Sequence, residues 1–325
     1  MTAYDEVKTL TQSSGTAIFA ILPSTFKIFG PHLLANKDAI KSITGTEEAY
    51  GSHPRQKLDI YRSPTETSTS PILISLYGGG LIRGDKKSPN TPENLVYHNL
   101  GTFFAKRGLT TIIPDYRRAN SPFGGEDAVF PSGGEDVSLV LKWLEGFVST
   151  GKRDVYLLGN SAGGVHVTTY LLEPRFLEQR KKYTSGETSI TLKGFIDLAV
   201  PLHFKNALAG RSDPLQKYYG DEKDVSEKCA YGLLEAVAKT GKSREEIGIP
   251  KALALLGEYD PQDEIGEPMQ DFVALWKKTW GEDSITFETI AGHNHISPPL
   301  SLMSGDIKLE KWAEDVVTWI QALSK

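Results

Sequence analysis

The chain reads as an α/β protein whose central, mostly parallel β-sheet is flanked by helices. Three observations predict this class. Short β-branched or aliphatic runs alternate with amphipathic stretches of helical length; most runs end at a turn carrying Gly, Asp or Asn; and 325 residues is an ordinary length for one large α/β domain. The expected strands are KLDIYR (57–62), PILISLY (71–77), LTTIIPDY (109–116), DVYLLG (154–159), LKGFIDLAV (192–200), KALALLG (251–257) and SITFETI (284–290). Apolar residues three and four apart predict sheet-covering helices over 135–148, 267–280 and 308–323.

Two segments fall outside that alternation. Residues 204–248 lie between two strong strands, contain DPLQKYYGD and the helical EKCAYGLLEAVAKTG, and offer no strand of their own. They are expected to form a small helical cap inserted in a catalytic domain spanning 56–325. Residues 1–55 are expected to form an N-terminal helical segment. Its stretch 15–34 is the most apolar window of the chain, but Pro23, Lys27 and Pro31 interrupt a run that a membrane span would need unbroken. The expectation is a helical flap over the active site, and membrane contact is not expected. The alternative for this window is contact with a membrane surface or with a second subunit, which would make the protein a homodimer. No repeat is visible, and PTETSTSP (64–71) reads as a solvated loop.

Composition excludes several classes. The formal net charge is −5 and neither sign forms long blocks, so nucleic acid is not expected as a partner and a small molecule fits better. Cys229 is the one cysteine, which rules out an internal disulfide framework and a cysteine-built metal site and agrees with a reducing, cytoplasmic location. The opening MTAYDEVKTL is acidic and polar, unlike the basic start of a secretory signal.

The chemistry begins at Gly159-Asn160-Ser161-Ala162-Gly163, directly after the strand DVYLLG and before HVTTYLLE, which can start a helix. A serine at a sharp strand-to-helix turn has a strained backbone and needs small neighbours two positions away on each side. Its hydroxyl is a weak nucleophile until an imidazole takes its proton and a carboxylate orients that imidazole. Both types follow in order. KALALLG runs into EYDPQDE, placing Asp260 just past a strand's carboxyl end, with Asp263 as competitor. SITFETI leads into AGHNHISPP, which places His293 and His295 on a loop beyond the last strand. Gly78, Gly79 and Gly80 follow the strand PILISLY, and consecutive glycines let backbone N–H groups face an oxyanion.

These motifs resemble the hormone-sensitive-lipase-like carboxylesterases, within a wider α/β-hydrolase group that includes kynurenine formamidases and feruloyl-type esterases. YGGGLIRGD, PDYRRA, FPSGGEDV, GNSAGG, GEYDPQDE and GHNHIS occur in the group's order from about residue 57 onward, and residues 1–55 match it least. The resemblance implies Ser161 as nucleophile, Asp260 as the acid because it precedes proline, and His295 as the base because it precedes a hydrophobic residue. It also implies an oxyanion hole built from the N–H groups of Gly79, Gly80 and Ala162, with no metal or organic cofactor. Two positions depart from the pattern: Tyr77 stands where histidine is usual, and Asn160 where aspartate is common. Asp115, Arg117 and Asp136 also match, and each reads better as a structural ion pair or helix cap.

The activity implied is hydrolysis of a small carboxylic ester through an acyl-enzyme. Amides, formamides, carbamates and lactones are rivals for the same triad, as are a non-catalytic small-molecule receptor and an interfacial lipase. Phe26, Phe29, Tyr218 and Tyr219 are candidates for the pocket wall and equally for the core.

Overall fold

The computed structural model describes residues 2–89 and 91–324. Eight strands form one sheet: β1 (Thr46–Ala49), β2 (Lys57–Tyr61), β3 (Ile72–Leu76), β4 (Thr110–Pro114), β5 (Arg153–Asn160), β6 (Ile190–Leu198), β7 (Lys251–Tyr259) and β8 (Ile285–Asn294), in the spatial order β1-β2-β4-β3-β5-β6-β7-β8. The pairs β1/β2 and β2/β4 are antiparallel, and all pairs from β4 to β8 are parallel. Every residue of β3 and β4 is buried, as continuous apolar runs covered on both faces require.

The helices are α1 (Ala3–Ser14), α2 (Ile18–Ala35), α3 (Lys37–Ile40), α4 (Leu95–Ala105), α5 (Ser132–Phe147), α6 (Ala162–Leu172), α7 (Leu177–Ser185), α8 (Ser212–Tyr219), α9 (Glu222–Lys228), α10 (Ala230–Ala238), α11 (Glu267–Trp280), α12 (Ser297–Ser301) and α13 (Ile307–Leu323). Neighbouring residues of β6 show how they sandwich the sheet. Phe195 meets Trp276 of α11 on one face, with ring centroids 5.6 Å apart. Gly194 turns to the other face, where a Cβ would stand 2.5 Å from the ring of Trp319 in α13. A glycine is needed there so that the indole can lie on the strand.

All seven expected strands are present, and four local expectations change. An additional edge strand, β1, has every residue exposed and no apolar alternation, so no hydrophobic pattern could announce it. Strand β8 runs on to Asn294, which puts His293 inside a strand and not in the loop beyond it. The expected helix around Cys229 is two helices, because Cys229 is extended (φ −65°, ψ 163°) and caps α10.

The fourth change is in the apolar window, where α2 continues through both Pro23 and Pro31. Each interior proline costs about 3 kcal/mol, and burial of Ile21, Thr25, Phe29 and Leu33 offsets it. By length and composition α2 could cross a membrane. Here Phe29 and Leu33 instead join a core cluster with Val7 of α1, Leu95 of α4, Leu300 of α12 and Leu309 of α13.

Candidate active site

Ser161 sits where β5 ends and α6 begins, with φ 51° and ψ −121°, a conformation that costs a non-glycine residue free energy and persists because the surroundings fix it. Two close approaches enforce the turn. A Cβ on Gly159 would stand 2.3 Å from the Cα of Gly164, and one on Gly163 would stand 2.2 Å from the carbonyl oxygen of Leu76. The Ser161 N–H donates to Leu198 O at 3.0 Å, tying the elbow to the end of β6. Asn160 donates its Nδ2 to the same carbonyl at 3.1 Å.

Sheet register brings the other two groups together. Strands β7 and β8 are parallel neighbours and Tyr259 pairs with Asn294, so the residues that follow, Asp260 and His295, emerge side by side. His295 Nδ1 lies 2.7 Å from Asp260 Oδ1, and His295 Nε2 lies 3.0 Å from Ser161 Oγ. A carboxylate only accepts, so Nδ1 carries the proton and Nε2 is free to accept from the serine hydroxyl. Asp260 is itself held by the Gly257 N–H, which donates to Oδ2 at 2.7 Å. Asp260 and His295 are buried, whereas Asp263 is exposed on the following turn.

His293 is occupied elsewhere. Its Nε2 donates to Leu309 O at 2.9 Å and its Nδ1 lies 2.9 Å from Ser297 Oγ, and burial pulls its pKa down to about 4. Asn294 braces the loop between them: its Oδ1 accepts from the N–H groups of Ile296 and Ser297 at 3.0 Å each, and its Nδ2 donates to Thr25 Oγ1 of α2 at 3.0 Å. The N-terminal segment therefore supports the histidine loop from behind, and within it only Ile18 lines the cavity at Ser161 among the described residues.

The glycine loop lies against the elbow, where a Cβ on Gly78 would stand 3.0 Å from the Cβ of Ser161. Gly80 has φ 61°, and Gly79 turns so tightly that a Cβ would stand 2.0 Å from the carbonyl oxygen of Arg83. Among the described residues, none of the N–H groups of Gly79, Gly80 and Ala162 donates to a protein acceptor. Tyr77, which replaces the usual histidine, anchors this loop. Its hydroxyl donates to Asp115 and accepts from Arg55 Nη2 at 2.9 Å, and its carbonyl accepts from the Tyr116 hydroxyl at 2.8 Å. Burial raises the Tyr77 phenol pKa well above its ordinary value, so it remains a donor. Arg117 Nε and Asp136 Oδ1 form an ion pair at 3.0 Å, and Asp136 also accepts from Gln56 Nε2 at 2.8 Å.

A cavity of about 40 Å³ opens beside Ser161. Its walls include Ile18, Gly80, Leu81, Ala162, Val165 and Leu215, together with the polar groups of His203, Arg211 and Glu264. Phe29, Tyr218 and Tyr219 are core residues, and Phe26 is half-buried against the α1/α2 cluster. Nothing in the spacing of Arg211 and Glu264, 53 positions apart, marks them as partners, yet Arg211 Nε donates to Glu264 Oε1 at 2.9 Å. Among the described residues no cluster of three His, Cys, Asp or Glu side chains is arranged to hold a metal ion.

This sheet order, with a serine at the β5–α6 turn, Asp after β7 and His after β8 in the chain order Ser, Asp, His, is the α/β-hydrolase fold. The chain belongs to the BD-FAE family, whose model matches residues 58–232. It is 29% identical over 180 residues to the probable isoprenylcysteine alpha-carbonyl methylesterase ICMEL2 of Arabidopsis thaliana, covering 53% of this chain and 40% of that protein. It is 27% identical over 203 residues to the probable isoprenylcysteine alpha-carbonyl methylesterase ICME of Oryza sativa subsp. japonica, covering 61% of this chain and 44% of that protein. The chain thus spans less than half the length of these relatives.

Among solved structures it is similar to a thermostable esterase from Pseudomonas putida ECU1011, with a TM-score of 0.65 at 16% identity over 99% of this chain and 97% of the other. Esterase B from Lactobacillus Rhamnosis gives a TM-score of 0.62 at 17% identity over 99% and 96%.

Proposed function

We propose that the protein is a serine carboxylesterase that hydrolyses small esters through an acyl-enzyme. One observation carries this reading: an unbroken hydrogen-bonded chain from Ser161 Oγ through His295 to Asp260, at 3.0 and 2.7 Å. In the first half-reaction His295 Nε2 takes the serine proton as Oγ bonds to the ester carbonyl carbon. The carbonyl π electrons move to oxygen, and the N–H groups of Gly79, Gly80 and Ala162 hold that oxyanion. Asp260 stabilises the imidazolium. The oxyanion then collapses, the ester C–O bond breaks, and His295 gives the proton to the departing alcohol. A water deprotonated by His295 attacks the acyl-enzyme in the second half, releasing the acid and restoring the serine.

The cavity supports a short acyl group. We assign the cavity to the acyl side, because His295, which must stand beside the leaving alcohol to protonate it, is not among its walls. About 40 Å³ leaves room for roughly three waters, the bulk of a short acyl chain. The methylesterase names of the plant relatives support the same bond type. Residues 204–248 serve as a cap whose Phe204, Ala207, Arg211 and Leu215 close this side. Residues 1–55 brace the histidine loop and supply Ile18, and the enzyme works on a soluble substrate in the cytoplasm.

Turnover of p-nitrophenyl acetate, butyrate and palmitate by the native protein and by Ser161→Ala tests the proposal. Activity greatest on the short esters and abolished in the variant is expected. Activity confined to the long-chain emulsion, or undiminished in the variant, would overturn it.

A further inference from the structure

Two polar side chains form an unusual wall in the small cavity beside Ser161. Glu264 is 8% exposed; its Oε1 accepts from Arg211 Nε at 2.9 Å, while its Oε2 is buried without a hydrogen-bond partner in the protein. The guanidinium uses only Nε in that bond. Its Cζ lies 4.8 Å from the centre of the Phe19 ring, and Nη1 lies 3.2 Å from where a Cβ on Gly80 would be. The cation therefore abuts the glycine loop, next to the carbonyl under attack. His203 also lines this cavity. Its Nε2 faces Asp271 Oδ2 at 3.2 Å and so carries the proton, leaving Nδ1 an acceptor that is also buried without a partner.

A buried carboxylate oxygen left unbonded is costly, and an apolar acyl chain would leave it so. The Arg211–Glu264 pair is neutral as a whole, so it favours neither an anion nor a cation. What it offers is donors on Arg211 beside an acceptor on Glu264. A neutral group that both donates and accepts satisfies them together, and a cavity of about 40 Å³, with room for roughly three waters, keeps the chain that carries it short.

We infer that this pair reads a hydroxyl on the acyl chain, so that the substrates are esters of short hydroxy acids. The hydroxyl donates to Glu264 Oε2 and accepts from an Arg211 Nη. The inference rests on the ester-hydrolase reading above and narrows its substrate class.

The test compares kcat/KM for methyl 3-hydroxybutyrate, methyl 3-fluorobutyrate and methyl butyrate. Fluorine approximates the hydroxyl in size and electron withdrawal but cannot donate. A site built to hydrogen-bond a substrate hydroxyl rejects the analogue lacking it, so a preference of about 10-fold or more for the hydroxy ester over the fluoro ester is expected in the native protein. Replacing both members of the pair, Arg211→Met with Glu264→Met, leaves no unpaired buried charge and should bring that ratio to about one.

A native ratio near one overturns the inference and leaves the pair as a tie between the turn before α8 and the segment after β7. A large native ratio that persists in the double variant overturns it as well, since the hydroxyl would then be read elsewhere. If the native protein turns over none of the three esters nor the p-nitrophenyl esters, the ester-hydrolase reading itself fails, and this inference fails with it. Labelling of Ser161 by a fluorophosphonate checks that the double variant has an assembled site.

Discussion

Replacing Asp260 by Asn separates the orienting role of the carboxylate from its size. In the native protein the Gly257 N–H donates to Asp260 Oδ2 at 2.7 Å and His295 Nδ1 donates to Oδ1 at 2.7 Å. An asparagine in the same place has one acceptor. The backbone N–H of Gly257 cannot turn away, so the amide oxygen takes that side and the NH₂ group faces His295 Nδ1. Two donors cannot share the bond, so the imidazole shifts its proton to Nε2 and can no longer accept from Ser161, 3.0 Å away.

Loss of the correct tautomer in a triad of this kind lowers kcat by about 10⁴, or about 5 kcal/mol in the barrier. The fold should be little affected, because the side-chain volume is unchanged and one of the two bonds survives. Initial rates on p-nitrophenyl butyrate and a melting curve measure both. An Asp260→Asn protein within 10-fold of native kcat would refute the assignment of the acid, and Asp263 would be the next residue to replace.

Other predictions follow from the same geometry. Tyr77→Phe removes the hydroxyl between Arg55 Nη2 and Asp115; kcat should fall about 10-fold and stability by about 1–3 kcal/mol, read by steady-state kinetics and urea unfolding. Gly163→Ala puts a methyl 2.2 Å from Leu76 O and 2.7 Å from Tyr77 O, both backbone atoms. It should cost more than about 2 kcal/mol and abolish labelling of the elbow serine, as intact-mass measurement would show.

A pH prediction comes from the buried histidines. Burial pulls the pKa of His293 to about 4 and that of His166 to about 3, both from 6.5. Below pH 6.5 the unfolded chain binds protons that the folded one refuses, so stability falls as pH drops from 6.5 towards 4, by about 3 kcal/mol per histidine. Chemical denaturation across that range should show this slope, and His166→Asn should make it shallower.

The sheet was legible because β3 to β7 are apolar runs closed by turn residues, and burial on both faces leaves little else such runs can be. The candidate site was legible where it depends on local sequence. The glycine spacing around Ser161 is written into five consecutive residues, and Asp260 and His295 each follow a recognisable strand. The edge strand β1 was hidden because TEEA has no apolar face to read. The course of α2 was misread because local proline rules overlook the tertiary burial of Phe29 and Leu33. The loop anchor formed by Arg55, Tyr77 and Asp115, and the pairing of Arg211 with Glu264, depend on long-range contacts that a single sequence does not display.

The account depends most directly on the reactivity of one hydroxyl. Treating the native protein with a fluorophosphonate and mapping the adduct by peptide mass should place one phosphonyl group on Ser161, with none on the Ser161→Ala protein. An unmodified Ser161, or an adduct on a different serine that parallels loss of esterase activity, would contradict it.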